Sequence, residues 1–205
     1  FKSLVENAGS EKEKIKRIYT YLQQNFRYVS IQLGIGGLRP FSAEFTDKKK
    51  YGDCKALSNY MKAALNAVGI KSHVAIINSS YDQEPVDPGF PSNDFNHVIL
   101  CVPGYKDSTW LECTSSTAAF GELGNFTENR YALLITDYGG ALVPTPRSLP
   151  SSNTFATTTI VTISDDLSAL TETFFSAKGE YKQMIDDVLK EKKKLIIMAA
   201  DRVTF

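Results

Sequence analysis

Cysteine and histidine are scarce in this sequence of 205 residues, and the scarcity limits the sites it can build. The three cysteines, Cys54, Cys101 and Cys113, are an odd number and too few for a disulfide scaffold. A structural zinc site needs four closely spaced ligands, yet there is no Cys-x-x-Cys pair and only two histidines, His73 and His97. We therefore expect no metal site and no cofactor. A thiol nucleophile remains open.

An excess of one charge and a long apolar run are also missing. Lys and Arg total 23, as do Asp and Glu, whereas a nucleic-acid-binding protein usually has a basic excess. No apolar run approaches the roughly 18 residues of a transmembrane helix, and residues 1–13 lack the features of a signal peptide. The chain starts without Met, directly before a predicted helix. We expect a piece of a longer polypeptide with flanking domains, no nucleic-acid partner and no transmembrane segment in this chain.

The composition that is present is globular, and it changes along the chain. Hydrophobic residues make up 42% and charged residues 22%, which argues against wholesale disorder. The segment Pro144 to Asn153 is rich in Pro and Ser and resembles a linker. Two strands between Thr158 and Phe175 follow, and then a helix-prone segment, Tyr181 to Ala200. Because two strands alone are marginally stable, we expect one domain over 1–146, and over 147–205 a linker and a partial β-rich domain with a C-terminal helix.

Cys54 lies at the start of a strongly predicted helix. Asp53 is a good N-cap residue, apolar residues recur at helical spacing from Leu57 to Val68, and Gly69 supplies the stop. Cys54 is three residues before Leu57, so it lies on the buried face of the first turn. The partial positive charge of a helix N-terminus favours a thiolate over a thiol. A small buried packing residue is the alternative for a lone cysteine.

His97 and Glu112 lie on two predicted neighbouring strands, Phe95 to Val102 and Thr109 to Thr114. A four-residue loop, Pro103 to Lys106, would place His97 directly opposite Glu112, with both side chains on one face. A carboxylate there could orient the imidazole and stabilise its charged form. A slip of one residue would put the two side chains on opposite faces.

The remaining polar candidates have simpler interpretations. We expect Cys101 and Cys113 to be packing residues, and His73 is the second candidate for a catalytic base. The glycine-rich segment Gly34 to Gly37 predicts a turn rather than a phosphate loop, because no Gly-Lys-Ser/Thr helix start follows. Lys48 to Lys50 predicts a solvated loop.

Two further local signals come before and after the cysteine helix. Ser10 and Glu13 form a capping box at the start of an amphipathic helix. The long segment Ser79 to Asp94 ends just before His97, and we expect it to edge the site.

Several motifs together resemble the transglutaminase-like superfamily of cysteine enzymes, in the bacterial multidomain variant that has flanking β-rich domains. The motifs are Arg27-Tyr28-Val29, Leu33-Gly34-Ile35-Gly36-Gly37, Tyr51-Gly52-Asp53-Cys54-Lys55, Phe95-Asn96-His97-Val98 and Trp110-Leu111-Glu112-Cys113-Thr114. The resemblance covers about Ser10 to Pro144. It implies an α+β fold, a transglutaminase-like or papain-like core with helices packed on an antiparallel sheet, followed here by a truncated β-rich C-terminal segment.

The resemblance also implies a role for each site residue. Cys54 would be the nucleophile, His97 the general base and acid, and Glu112 the orienting group. The family usually has Asp followed by Pro-Thr at the third position, where this chain has Glu112 followed by Cys-Thr. The backbone N–H of Cys54 is a candidate oxyanion donor, with Tyr28 or Gln32 as a second donor.

The predicted function is that of a cysteine enzyme acting on amide bonds of a peptide or protein through an acyl-enzyme on Cys54. Water would resolve the acyl-enzyme in a peptidase or amidase, and an amine would do so in protein cross-linking. The alternative is a catalytically inactive binding module for peptide or glycan surfaces, which the Glu112 departure supports. The resemblance favours an extracytoplasmic location, in the periplasm or at the cell surface.

Overall fold

The computed structural model describes residues 1–80, 86–105 and 107–191. The contacts divide the chain into two compact units, Phe1–Arg147 and Ser148–Phe205. The correspondence of these units to the predicted domains 1–146 and 147–205 stays a prediction. No helix within the described residues is long and apolar enough to cross a membrane.

Local signals position the helices of the first unit. Ser10 accepts a hydrogen bond from the Glu13 backbone N–H at 3.1 Å, and Glu13 accepts one from the Gly9 N–H at 3.0 Å. These contacts confirm the predicted helix start and satisfy N–H groups that have no acceptor inside the helix. The helices are α1 (Lys2–Val5), α2 (Glu11–Asn25), α3 (Ala43–Lys49) and α4 (Cys54–Asn66), with a 3₁₀ turn at Gly34–Gly37.

A five-stranded sheet forms the centre of this unit. Its order is β5-β4-β3-β6-β7, and every neighbouring pair in it is antiparallel. Two short strands, β1 and β2, form a separate parallel pair. The strands are β1 (Arg27–Tyr28), β2 (Tyr51–Gly52), β3 (His73–Ile77), β4 (His97–Val102), β5 (Thr109–Leu111), β6 (Tyr131–Thr136) and β7 (Gly139–Pro144). Helices with an antiparallel sheet confirm the predicted α+β class.

The buried side chains form two clusters, to which alternate residues of β4 contribute. Leu100 and Val102 pack with α2 and α4, whereas Ile99 and Cys101 pack with Trp110 in the second cluster. This division follows from the two-residue period of a strand, which sends successive side chains to opposite faces. Because His97 is two residues before Ile99, its backbone position belongs to the face of the second cluster.

The structure corrects the predicted register between β4 and β5. Val102 pairs with Thr109 rather than with Asp107, so the connection spans residues 103–108 instead of four residues. A tight approach lies inside it, because a Cβ built on Gly104 would lie 2.1 Å from the Asp107 carbonyl oxygen. The predicted direct pairing of His97 with Glu112 is therefore wrong. The shift is two residues, one full strand period, so the two positions keep the same face.

The structure also corrects the predicted loop at Lys48 to Lys50. Lys48 and Lys49 form the last turn of α3, which Ser42 caps by accepting a hydrogen bond from the Phe45 N–H. Lys50 follows in the left-handed conformation with φ of 56°. Cations are favourable at a helix C-terminus, where the carbonyl groups leave a partial negative charge.

The second unit, taken by itself, contains a hairpin and a helix. Its elements are a 3₁₀ turn at Pro150–Ser152, β8 (Phe155–Ile163), β9 (Ala169–Ala177) and α5 (Glu180–Glu191). The strands pair antiparallel, and every residue of β8 is exposed. Residues 192–200 of the predicted C-terminal helix lie outside the described residues. That this unit is part of a larger β-rich domain stays a prediction.

Candidate active site

Cys54 is the first residue of α4, and its surroundings are fixed by the residues just before it. Asp53 has extended backbone angles, and its Oδ1 accepts a hydrogen bond from the Ala56 N–H at 2.9 Å, which confirms the predicted N-cap. Gly52 packs so closely that a Cβ there would lie 2.7 Å from the Ala56 Cβ. Cys54 is 4% exposed. Its backbone N–H has no acceptor inside the helix, as for any first-turn residue.

The short parallel pair β1–β2 brings an upstream segment next to this helix start. Tyr28 pairs with Gly52, and the Val29 N–H donates to the Gly52 carbonyl at 2.9 Å. The Tyr28 side chain is about half exposed, and the Gln32 amide nitrogen donates to the Ser30 hydroxyl at 3.5 Å. The structure thus places Tyr28 on the strand next to β2, and Gln32 on an exposed segment after it. The role of either residue as an oxyanion donor stays a prediction.

His97 begins β4, and a side chain of α4 ties that strand to the cysteine helix. The Ser58 hydroxyl donates to the Val98 carbonyl at 3.3 Å, and Ser58 is fully buried. Ser58 lies four residues after Cys54, about one helical turn. This contact therefore aligns the first turn of α4 with the first residues of β4. Cys54 is accordingly among the groups that raise the pKa of His97, although 43 positions separate the two residues in the sequence.

Glu112 lies one residue beyond β5 and contacts the His97 ring. His97 Nε2 is 3.0 Å from Oε2 and 3.2 Å from Oε1 of Glu112, whose side chain is fully buried. Oε1 also accepts hydrogen bonds from the Thr114 backbone N–H at 3.1 Å and from the Thr114 hydroxyl. The Tyr19 hydroxyl donates to the Glu112 carbonyl at 2.9 Å. His97 and Thr114 thus hold the carboxylate, and Tyr19 holds the backbone of the same residue.

Sequence reasoning missed the contributions of Tyr19 and Thr114. Thr114 lies two residues after Glu112, a spacing that allows a carboxylate to accept from a nearby backbone N–H and hydroxyl. That local signal was present in the sequence. Tyr19 lies on α2, 93 positions before Glu112, and no local pattern connects the two.

The site favours the charged form of His97. Burial disfavours the imidazolium, but hydrogen bonds to Cys54 and Glu112, together with their charges, outweigh it and raise the pKa of His97 to about 9. Because Nε2 faces Glu112, Nδ1 is the ring nitrogen left for the Cys54 thiol. The Phe126 ring lies 5.9 Å from the imidazole, centroid to centroid, and covers part of it.

The other two thiols are in different surroundings. Cys101 and Cys113 are buried in the two hydrophobic clusters, in agreement with their prediction as packing residues. Burial raises the pKa of each thiol above its ordinary value. Both are therefore neutral thiols at pH 7, whereas a cysteine nucleophile reacts as the thiolate.

His73, the second candidate for a base, is separated from Cys54 by the length of a strand. It pairs with Cys101 at one end of β3, whereas Ile77 at the other end pairs with His97. Four residues of strand span about 13 Å. The structure brings Cys54, His97 and Glu112 together and leaves His73 outside.

The long segment predicted to edge the site is anchored beside His97. The Ser79 backbone N–H donates to the Asn96 side-chain oxygen at 2.8 Å, and the Asn96 amide donates to the Ser80 hydroxyl at 2.6 Å. Arg130 donates to the Ser80 carbonyl at 2.8 Å. Residues 81–85 lie outside the described residues. The segment therefore starts and ends next to the residue that precedes His97.

The family comparison agrees with this arrangement. The family model of the transglutaminase-like superfamily matches residues 2–115, more than half of the chain. The chain belongs to the transglutaminase-like superfamily. The match includes Cys54, His97 and Glu112. No curated protein matches the chain.

A solved structure shows the same transglutaminase-like fold. It is a crystal structure from Parabacteroides distasonis ATCC 8503, described as a "putative protease", and it aligns with a TM-score of 0.55 at 15% identity. The alignment covers 80% of this chain and 33% of that one, so the chain spans about a third of that protein's length. At this identity the likeness supports the fold alone.

Proposed function

We propose that this transglutaminase-like chain is a cysteine enzyme that cleaves amide bonds of a peptide or protein through an acyl-enzyme on Cys54. One observation carries the proposal: at the start of a helix, the His97 imidazole contacts the buried Glu112 carboxylate at 3.0 Å, and the neighbouring Cys54 thiol is among the groups that raise the pKa of His97. A packing cysteine needs neither a charged histidine nor a buried carboxylate behind it. Burying the ionisable side chains of His97 and Glu112 contributes little to the stability of the fold, so a catalytic role is the better explanation for their burial.

The proposed reaction starts from a thiolate–imidazolium pair, since His97 is protonated at pH 7. The sulfur attacks the amide carbonyl carbon, and the Cys54 backbone N–H donates to the oxyanion that forms. His97 gives its Nδ1 proton to the departing amine, the C–N bond breaks, and a thioester remains on Cys54. Neutral His97 then takes a proton from water or from an acceptor amine, which attacks the thioester and restores the thiolate. Glu112 holds the ring and stabilises its charged form throughout.

Alkylation of the thiol tests the nucleophile directly. We expect iodoacetamide at pH 6 to modify Cys54 and to leave Cys101 and Cys113 unmodified in the same molecule, as mapped by mass spectrometry of peptides. The two buried cysteines are matched internal controls. His97→Ala should slow the modification of Cys54, because the cation that stabilises the thiolate is removed. Equal labelling of all three cysteines in the folded protein would refute the proposal.

The choice between hydrolysis and cross-linking follows from the acceptor. If the protein cleaves peptides of a panel and new amino termini appear, it is a peptidase. If it releases ammonia from glutamine side chains, it is an amidase. Incorporation of a primary amine would identify an acyltransferase. Cys54→Ala should abolish whichever activity is found while the thermal unfolding curve stays unchanged, since Ala propagates a helix well. We also propose the flanking domains and the extracytoplasmic location that the resemblance implies.

A binding module without catalysis is the second candidate. Two observations favour it: Cys54 is only 4% exposed, and the third position has Glu112 where the family usually has Asp. In that case Cys54 would stay unmodified at pH 6. Peptide or glycan binding would then be equal for the wild type and for Cys54→Ala.

A further inference from the structure

The two residues beside Cys54 form an ion pair that is almost removed from water. Lys55 Nζ contacts Asp53 Oδ2, and the side chains of Lys55 and Asp53 are only 11% and 4% exposed. Asp53 Oδ1 is already engaged as the N-cap acceptor of the Ala56 N–H. Burying a lysine ammonium is costly unless a partner compensates it. The cost of burying this ion pair calls for an explanation, and the position of the pair on either side of Cys54 suggests one.

The capping role alone does not require a charge. Asn and Ser cap helices about as well as Asp does, and the caps of α2 and α3 are the neutral residues Ser10 and Ser42. An anionic cap next to Cys54 has a disadvantage, because a second negative charge opposes formation of a thiolate. Lys55 supplies the positive charge that cancels it.

The charges around the Cys54 thiol show what the positive charge of Lys55 changes. The elements packed against α4 are α2, α3, β2, β3 and β4, and β1 pairs with β2. Their other charged side chains, among them Arg27 on β1 and Glu44, Asp47, Lys48 and Lys49 on α3, make no hydrogen bond or ion pair with Cys54, Asp53 or His97 among the described residues. The charged groups that do make one are Glu112 and Lys55. With a thiolate on Cys54, the site has three negative charges, those of Cys54, Asp53 and Glu112. The two positive charges are those of His97 and Lys55. Without Lys55, one imidazolium would face three anions.

We propose that Lys55 is a positioning residue of the cysteine site, which neutralises the Asp53 carboxylate so that the cap of α4 does not oppose the Cys54 thiolate. This inference rests on the proposed function, because it assumes that Cys54 reacts as a thiolate. In this inference Lys55 makes no contact with the substrate. Lys55 acts through Asp53 and through the charge at the helix start.

The experiment measures the rate of Cys54 alkylation by iodoacetamide from pH 5 to 9 in the full chain. Lys55→Met should lower the rate at pH 6 on the order of tenfold and move the midpoint of the profile to higher pH. Lys55→Arg should keep the wild-type profile. The double variant Asp53→Asn with Lys55→Met should restore it, because Asn keeps the cap and removes the charge that Lys55 balanced. Lys62→Met is the matched control, a lysine on the same helix with no ion pair among the described residues.

The outcomes separate this inference from the proposed function. A reactive wild type with an unchanged Lys55→Met profile overturns the inference alone. A double variant as slow as Lys55→Met also overturns it, because Lys55 would then act by packing. A wild type whose Cys54 does not react at pH 6 removes the proposed function and the inference together. If Lys55→Met does not fold, Asp53→Asn alone decides: a profile moved to lower pH supports the inference, and one moved to higher pH refutes it.

Discussion

Glu112 differs from the aspartate that the family usually has, and its place in the sheet explains why the longer side chain fits. Continuing the β4–β5 ladder one pair beyond Leu100 and Leu111 puts Glu112 opposite Ile99, diagonal to His97. Diagonal neighbours on one face lie about 7–8 Å apart, farther than direct partners. The additional methylene of Glu112 helps to span that distance. Thr114 then holds the carboxylate through its N–H and hydroxyl.

We expect Glu112→Gln to lower turnover by a factor on the order of 10–10³, a barrier increase of about 1.4–4 kcal/mol. An amide removes the negative charge that stabilises the imidazolium and can donate to the ring, which permits the wrong tautomer. The measurement is turnover of the best amide substrate by the purified variant, with thermal unfolding as the control for folding. Glu122→Gln, at an exposed glutamate, is the matched control and should retain wild-type turnover. A folded Glu112→Gln enzyme with near wild-type turnover would make Glu112 structural.

The raised pKa of His97 predicts how activity depends on pH. The imidazolium is the species that pairs with the thiolate and protonates the leaving amine, so turnover should fall as the pH rises through about 9. Glu112→Gln should move this alkaline decline to lower pH, because the carboxylate favours the charged ring. The test is turnover between pH 6 and 10.5. If turnover declines at the same alkaline pH in the wild type and in Glu112→Gln, the decline is not caused by deprotonation of His97.

At the scale of elements, the start of α4 depends on a close approach that only glycine allows. We expect Gly52→Ala to destabilise the fold by about 1–3 kcal/mol and to slow the alkylation of Cys54, because the new Cβ would lie 2.7 Å from the Ala56 Cβ. Urea denaturation measures the free energy of unfolding. Gly36→Ala is the matched control, since its Cβ would meet nothing nearer than 4.0 Å. Equal stability of the two variants would contradict the packing argument.

The elements that the sequence predicted are those specified by local pattern. The Asp53 cap, the apolar spacing after it and the Gly69 stop are all contained in one helix, so α4 and the placement of Cys54 could be predicted. α3 could not, since seven residues with two lysines at the end show no clear apolar period. The β4–β5 register differs from the predicted one because the connection spans residues 103–108 rather than four residues, a length that composition does not reveal.

At the scale of the whole molecule, the buried core of the described residues lies within the first unit. Every buried hydrophobic residue there falls between Val5 and Ala132, and β8 is exposed along its full length. Hydrophobic burial is the main favourable term in folding. We therefore expect the first unit to stay folded by itself.

We expect limited trypsin digestion to cut first in the second unit and at its junction, where Arg147 and Lys178 are exposed. The resistant fragment should end near Arg147 and should keep the Cys54 alkylation rate of the intact chain. Mass spectrometry identifies the fragment, and labelling at pH 6 measures its site. Early cleavage within α2 or α4, or loss of labelling once the second unit is removed, would contradict the expected autonomy of the first unit.

The Asn96 side chain, which fastens both Ser79 and Ser80, has an evolutionary consequence. Ser79 and Ser80 follow the end of β3, and Asn96 precedes β4, so one side chain joins the two strand ends beside His97. For a flexible loop, each doubling of length costs only about 0.6 kcal/mol of closure entropy. We expect insertions and deletions in the segment after Ser80 to change what borders the site, while the contacts of Asn96 stay in place. We therefore expect members of the superfamily to differ in substrate through this one segment, without changes at Cys54, His97 and Glu112.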